Sequence, residues 1–184
     1  MVESATVGIP GPNWKPIPLA YLITFTCYGA RLHGDASGSV NREHNVYGTP
    51  FLPANSIRVV SEEDRAKQAP YLLDTFRRAV VLEAVIELCS HRGWSLLAIH
   101  VRTQHIHLVV TAEDSPEKVL QDAKKYASRA LNRSGKDRVS QRRWSRHGST
   151  RYLWKPESVG AAIHYVVREQ GGPMAVWEKP GALV

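Results

Sequence analysis

Two histidines separated by one residue are the side chains best suited to chemistry in this chain. His105 and His107 stand at the start of a run of β-branched and large apolar residues over 104–110, which favours a β-strand. Because side chains alternate between the faces of a strand, both imidazoles point to the same side at a fixed separation. Neutral imidazole is a common ligand for divalent metal ions, so the pair could form half of a metal site. The alternative is a chance pair in which one ring faces water or bonds to a neighbour.

The last predicted helix carries a tyrosine and a carboxylate on one face. We expect it to begin at Pro156 and to end before the Gly-Gly-Pro sequence at 171–173. Tyr165 lies off the middle of its apolar stripe, and Glu169 follows one turn later on the same face. If this face meets the histidine strand, Glu169 completes a His-His-carboxylate site with Tyr165 beside it. Alternatively, Tyr165 is an aromatic residue that packs at the rim of the helix.

Such a site predicts a divalent cation and chemistry at a phosphate. Imidazole and oxygen ligands with open positions suit Mg²⁺ or Mn²⁺ carrying a phosphate oxygen. The metal would polarise the phosphate while a tyrosine oxygen attacks phosphorus. Tyr126, on the helix that follows the histidine strand, is the rival nucleophile. Its place near the apolar face of that helix favours a core position or a DNA contact.

A strongly basic segment follows the histidine strand. The whole chain has a net charge of +7, and residues 124–155 contain eleven Lys and Arg residues but a single acid, Asp137. This concentration of charge predicts a polyanionic partner, most simply nucleic acid, and its alternative is a solvated surface run. Tyr152 and Trp154 lie among the charges, which favours stacking on exposed bases. The expected DNA contacts are Lys124, Lys125, Arg129, Arg133, Arg142, Arg143, Arg146, Arg151 and Trp144.

Seven elements are expected to position these residues, in the order strand, helix, strand, strand, helix, strand, helix. Their expected ranges are 19–28, 74–91, 94–101, 104–110, 115–132, 149–154 and 156–170. The apolar face of the first helix is expected to contain Phe76, Val80, Leu82, Val85, Ile86 and Cys89. The first six elements predict an α+β fold of the ferredoxin-like split βαβ type, an antiparallel sheet with helices on one face. The tyrosine-bearing helix is added at its C-terminal end.

The composition predicts one domain with extensions. The 184 residues include 43% hydrophobic side chains, enough to build a core. No apolar run approaches the length of a membrane span, the first residues do not resemble a secretion signal, and the two cysteines are isolated. A cytoplasmic protein that does not use a membrane is therefore expected. The expected division is a flexible arm at 1–18, a domain at 19–172 with a long loop insertion at 29–60, and a C-terminal tail at 173–184.

Taken in order, these features resemble the single-tyrosine transposases of the HUH endonuclease superfamily, in particular insertion-sequence transposases and their REP-associated tyrosine transposase relatives. The features are a strand hairpin ending in His-hydrophobic-His, a basic helix after it, and a late helix with one tyrosine. The segments 147–154 and 163–167 strengthen the resemblance, which covers residues 19–170.

The resemblance implies roles for individual residues. His105 and His107 correspond to the metal ligands of the family, and Tyr165 corresponds to its nucleophile. The family often has Gln or Asn four positions after the tyrosine as a further ligand. Here that position is Glu169, followed by Gln170, so Glu169 is the preferred third ligand and Gln170 is the alternative.

The resemblance also implies a reaction and its partners. Single-stranded DNA would be cleaved by transesterification, with Tyr165 attacking the scissile phosphate to leave a 5′-phosphotyrosine link and a free 3′-hydroxyl. A second strand end could then be joined without ATP. Family members recognise hairpins near the ends of the mobile element, often as dimers. Single-stranded or hairpin DNA is therefore the expected partner, and a homodimer is one candidate assembly.

Other functions fit parts of the same sequence. A replication-initiator-like nickase would use the same chemistry, although such proteins usually carry further domains. A ferredoxin-like module that grips DNA or RNA without cutting it would leave the histidines incidental. A domesticated transposase would retain cleavage but serve its host.

Overall fold

The computed structural model describes residues 17–30, 68–138 and 140–182. The expected N-terminal arm and the long loop insertion lie outside these ranges, except for residues 17–18 and 29–30. None of the helices in the described ranges is long and apolar enough to cross a membrane. The bounds of the described elements are β1 Ala20–Cys27, α1 Thr75–Arg92, β2 Ser95–Val101, β3 His105–Thr111, α2 Pro116–Arg133, β4 Trp144–Leu153, α3 Pro156–Arg168 and β5 Ala175–Glu178.

The five strands form one sheet in the order β4-β1-β3-β2-β5, and all neighbours are antiparallel. The first four strands in this order have the expected ferredoxin-like arrangement, so the α+β prediction is confirmed. The histidine strand β3 lies in the middle of the sheet. The fifth strand lies within residues 173–184, which were expected to form a C-terminal tail. β5 has only four residues, too few for a clear alternating pattern, and it is defined by its pairing with β2.

Different helices cover the two faces of the sheet. α1 and α2 pack on one face, where Ile106 and Leu108 of β3 belong to the larger core. α3 packs on the other face, where Ile163 and Val166 lie in one buried cluster with Val109. The alternation along β3 therefore sends Ile106 and Leu108 to one core and places the histidines on the face of the tyrosine helix.

The boundaries of α1 follow local capping signals. The Asp74 side chain accepts a hydrogen bond from the backbone N–H of Arg77 at 2.8 Å, and Gly93 ends α1 with a φ of 70°. The predicted apolar face of α1 was partly wrong, since Phe76 is 47% exposed and Val81 is fully buried. Apolar residues occur on most sides of this helix, so its sequence pattern does not single out the face that packs.

The strand β4 begins five residues before its predicted start. Its polar residues hide the alternating pattern because β4 is an edge strand that is largely open to solvent. Gly148 permits its pairing with β1, since a Cβ atom there would lie 2.7 Å from the carbonyl oxygen of Thr24. Residues 144–148 of the basic segment are therefore part of the sheet.

A buried carboxylate ties the segment between α2 and β4 to the rest of the domain. Asp137 accepts hydrogen bonds from the Tyr71 hydroxyl at 2.6 Å, from Arg77 Nε at 2.9 Å and from Arg143 Nε at 2.8 Å. Burial alone would raise the pKa of Asp137. The hydrogen bonds from Tyr71 and the two guanidinium groups outweigh it and hold the pKa below its usual range.

The substitution Asp137→Asn should lower the free energy of unfolding by about 3 kcal/mol at neutral pH, because it removes the charge partner of two guanidinium groups. Denaturant unfolding measures this loss, and Glu87→Gln, at an exposed position on α1, is the control. The depressed pKa means that the carboxylate stabilises the fold above the unfolded-state pKa of about 4 and that this contribution disappears as the pH falls through the folded-state pKa. A stability difference between Asp137→Asn and wild type that does not shrink on acidification would contradict this account.

Candidate active site

The strand β3 places two imidazoles side by side on the face covered by α3. The ring centroids of His105 and His107 are 4.9 Å apart, and the ring planes meet at 74°. His107 is only 6% exposed, whereas His105 is half-buried. The structure thus brings together the two rings that the alternation predicted, at the border between the core and solvent.

A threonine of the neighbouring strand orients one of these rings. Thr24 Oγ1 lies 2.7 Å from His107 Nδ1, and the two residues are directly opposite each other in the β1–β3 register. A hydrogen bond at one ring nitrogen fixes the orientation of a histidine that uses its other nitrogen as a ligand. Sequence reasoning missed Thr24. The available signal was the pair Thr24 and Thr26, which alternates with apolar residues in β1 and lies opposite the two histidines.

The helix α3 brings the tyrosine to the histidine pair. The ring centroids of Tyr165 and His107 are 5.7 Å apart, with the ring planes at 80° in an edge-on contact. Ile163 and Val166 anchor α3 in the core, while Tyr165 keeps 38% of its surface exposed. A phenol and an imidazole of the same chain therefore meet where the tyrosine side chain stays open to solvent.

The structure does not bring the preferred third ligand to the pair. Glu169 Oε1 lies 2.9 Å from His164 Nδ1, and both side chains are exposed. In the described ranges, no group of three or more His, Cys, Asp or Glu residues could hold a metal ion. The expectation for Glu169 assumed that the helix continues, but α3 ends at Arg168 and Glu169 leaves the helical conformation with a φ of −102°.

The alternative third ligand caps the tyrosine helix. Gln170 Nε2 donates a hydrogen bond to the carbonyl oxygen of Tyr165 at 3.2 Å. The same carbonyl oxygen also accepts the backbone N–H of Glu169 at 3.2 Å, so Gln170 adds a second hydrogen bond at the end of α3. The side chain of Gln170 therefore reaches back to the residue that carries the candidate nucleophile.

The basic residues predicted to contact DNA divide into exposed and packed groups. The exposed group consists of Lys125, Arg129, Arg133, Arg142, Arg146 and Arg151. The first three recur every four residues on α2 and therefore form one ridge on that helix. Arg146 and Arg151 lie on the edge strand β4, which α2 contacts.

Arg143, predicted as a DNA contact, belongs to the packed group. It is 4% exposed, and its guanidinium group donates to Asp137 and to Asn132 Oδ1, the latter at 2.7 Å. The charge pattern could not reveal this, because a buried arginine and an exposed one look alike in a basic segment.

Lys124 and Trp144 also use their polar groups inside the protein. Lys124 Nζ donates to the carbonyl oxygens of Ser145 and His147, and burial lowers the pKa of this lysine. Trp144 Nε1 donates to Ser128 Oγ at 2.8 Å, and its ring packs partly buried against the larger core. Both side chains join α2 to β4 and so differ from the exposed DNA contacts that were expected.

Two other aromatic rings are exposed on and just beyond β4. The rings of Tyr152 and Trp154 are stacked with centroids 5.8 Å apart and an angle of 8° between their planes. They are 44% and 50% exposed. A stacked pair with open surface suits a further flat ring, such as a nucleobase.

The rival tyrosine lies on the other side of the sheet. Tyr126 is on α2, packs against the larger core, and has its ring 6.4 Å from that of His91 on α1. The sheet separates it from the face that carries His107, so Tyr165 is the tyrosine that the fold places at the histidine pair.

One family model and two solved structures are similar to this chain. Residues 65–166, more than half of the chain, match the model of the family described as IS200-like transposases. A solved REP-associated tyrosine transposase bound to a REP hairpin is 10% identical with a TM-score of 0.46, and the alignment covers 88% of this chain and 72% of that one. A protein named as a transposase from Deinococcus radiodurans R1 is 12% identical with a TM-score of 0.41, covering 89% and 98%. Comparison with curated proteins finds no match. The range of the family match includes both histidines of the pair and Tyr165.

Proposed function

The chain belongs to the IS200-like transposase family, and from this premise we propose that it cuts and rejoins single-stranded DNA beside hairpins through a covalent bond to Tyr165. The observation that carries the proposal is the contact between Tyr165 and His107, whose ring centroids are 5.7 Å apart. A nucleophile and a candidate metal ligand from distant parts of the sequence thus share one face of the sheet.

In the proposed reaction, the phenolic oxygen of Tyr165 attacks the scissile phosphorus. The bond between phosphorus and the 3′ oxygen breaks as the bond to tyrosine forms, which leaves the 5′ end on the protein and a free 3′-hydroxyl. The phenol loses its proton to water, and the departing 3′ oxygen takes a proton from water. Because one phosphate diester replaces another, a second 3′-hydroxyl can reverse the step without ATP.

His105 and His107 would hold a divalent cation, Mg²⁺ or Mn²⁺. When bound, such a cation would supply Lewis-acid polarisation of the phosphate. Two imidazoles on one strand, one of them oriented by Thr24, fit this cation as part of its ligand set. Oxygen atoms of the DNA and of water would complete the set, with Gln170 as the remaining side-chain candidate. The chain itself positions the reacting groups, because β3 fixes the two imidazoles and α3 holds the Tyr165 phenol beside them.

The exposed basic residues would bind the phosphates of the DNA. The α2 ridge lies on the face of the sheet opposite α3. Arg146 and Arg151 lie on the edge strand β4, where the DNA backbone would pass from the α2 side of the sheet to the α3 side. Tyr152 and Trp154, on and just beyond the same strand, would stack on an unpaired base. Hairpin DNA, which the similar REP-associated transposase binds, is the substrate that we propose for this surface.

A covalent adduct tests the nucleophile directly. Labelled hairpin-flanked single-stranded DNA, incubated with the protein and Mn²⁺, should form an adduct that survives denaturing gel electrophoresis. Tyr165→Phe removes the attacking oxygen and should abolish the adduct. Tyr126→Phe removes a phenol on the opposite face and should retain it.

Two results would count against this assignment. Equal adduct from Tyr165→Phe and wild type would reject Tyr165 as the nucleophile. If wild type bound the hairpin but formed no adduct, the protein would instead be a non-cleaving binding module.

The histidine pair is tested by separating cutting from binding. His105→Ala and His107→Ala should each reduce Mn²⁺-dependent cleavage by about 100-fold or more, because the phosphate loses its Lewis acid. Hairpin affinity, measured by fluorescence anisotropy, should stay close to wild type. His91→Ala, at a histidine on α1 across the sheet, is the matched control and should cut normally. Full cleavage by both pair variants would discard the metal proposal.

The α2 ridge is tested by the salt dependence of binding. The double variant Arg129→Ala with Arg133→Ala should weaken hairpin binding and reduce the slope of log affinity against log salt by about 2, roughly one unit per lost phosphate contact. Lys179→Ala removes a charge just after β5, at the opposite edge of the sheet, and should change neither quantity. An unchanged slope in the double variant would place the DNA elsewhere.

A further inference from the structure

A third histidine lies beside the candidate active site, within the core. His100 on β2 is fully buried and is the cross-strand partner of His107. It is on the face of the sheet that α3 covers. The sequence does not single it out, because one histidine in an otherwise apolar strand has no spacing relation to other candidate residues.

Both ring nitrogens of His100 are bonded to the backbone. The N–H of Met174 donates to Nε2 at 3.2 Å, and Nδ1 lies 3.0 Å from the carbonyl oxygen of Val166. A nitrogen that accepts a hydrogen bond carries no proton, so the proton of the neutral ring is on Nδ1 and is donated to the carbonyl oxygen of Val166. This tautomer of the neutral imidazole can therefore bond to Met174 and to Val166 at the same time.

These two bonds lie at opposite ends of the connection between α3 and β5. Val166 is in the last turn of α3, directly after Tyr165, and Met174 directly precedes β5. Between them the chain turns through Gly171 with a φ of 77°, a conformation that favours glycine. Arg102 Nη1 donates to the carbonyl oxygen of Gly172 at 3.0 Å, so β2 and the residue after it hold this connection at three points.

The carbonyl of Val166 depends on a partner of this kind. The last carbonyl groups of a helix have no intrahelical N–H partner, and leaving such a group buried and unpaired is costly. His100 supplies the partner from the strand next to the histidine strand. The same bond therefore sets where the last turn of α3 sits relative to His107.

We propose that His100 is a positioning residue, which holds the last turn of α3 against β2 so that Tyr165 stays in contact with His107. It acts through the helix and does not contact the DNA. The inference rests on the proposed role of Tyr165 as nucleophile, and it adds the means by which the fold keeps that nucleophile in place. Small displacements of a reacting group can cost about 100-fold in rate.

Two substitutions of His100 separate its hydrogen bonds from its volume. His100→Leu fills similar space without a donor or an acceptor, whereas His100→Gln offers one of each. At saturating hairpin DNA, His100→Leu should slow adduct formation by about 10- to 100-fold with unchanged DNA affinity. His100→Gln should recover most of the rate.

A control variant distinguishes positioning from general stability. Trp177 lies on β5 but packs towards the larger core on the opposite face. Trp177→Ala should lower the unfolding temperature while leaving the rate of adduct formation at saturating DNA unchanged at a temperature where the variant is folded.

A structural measurement makes the result independent of the proposed function. The nuclear Overhauser effect between the rings of Tyr165 and His107 should weaken in His100→Leu and persist in His100→Gln and Trp177→Ala. If Tyr165→Phe retained the adduct, the proposed nucleophile would fail, yet this ring contact would still report whether His100 positions the helix.

Several outcomes would overturn the inference. They are a wild-type rate and ring contact in His100→Leu, an equal rate loss in the Leu and Gln variants, and an equal rate loss in Trp177→Ala. Loss of folded protein in both His100 variants would also overturn it, because His100 would then be a core residue for the whole domain.

Discussion

The division of the β3 side chains between two cores is the constraint on which the candidate site depends. Ile106 and Leu108 pack under α1 and α2, while His107 and Val109 face α3. β3 pairs on both sides, and a shift of its register by one residue would exchange the two sets. The apolar residues thus fix the direction of the imidazoles. The same interface between Val109 and α3 that buries apolar surface also brings Tyr165 to His107.

Polar side chains form a row across three strands beside the candidate ligand and the candidate nucleophile. Thr24 on β1 and His100 on β2 are the cross-strand partners of His107 on either side. Thr24 bonds to His107, whereas His100 bonds to the backbone of α3 next to Tyr165. Buried polar groups are costly unless they are paired, so such a row stabilises one arrangement of the sheet and helix over others.

The basic segment has two physical roles that its composition does not separate. Asp137 forms buried ion pairs with Arg77 and Arg143. Lys124 on α2 donates a hydrogen bond to the backbone of β4. The exposed remainder of the segment includes the α2 ridge and the β4 edge. Some charges of the basic segment therefore stabilise the fold, while its exposed charges give the surface a positive potential.

Features that depend on neighbouring residues could be predicted from the amino-acid sequence alone. The alternation along β3 placed His105 and His107 on one face, Asp74 and Gly93 marked the ends of α1, and the order of elements predicted the α+β sheet. These features follow from backbone geometry over a few residues, which is the range that a pattern can report.

Features that depend on contacts between distant segments became visible only in the folded chain. Thr24 and His107, 83 positions apart in the sequence, are joined only by the strand pairing. The burial of Arg143 and the pairing of β5 with β2 likewise depend on remote partners. The end of α3 at Arg168 and the bond of Glu169 to His164 also appeared only in the structure. Burial and pairing are properties of the assembled chain, so the residues that orient the site became visible only in the fold.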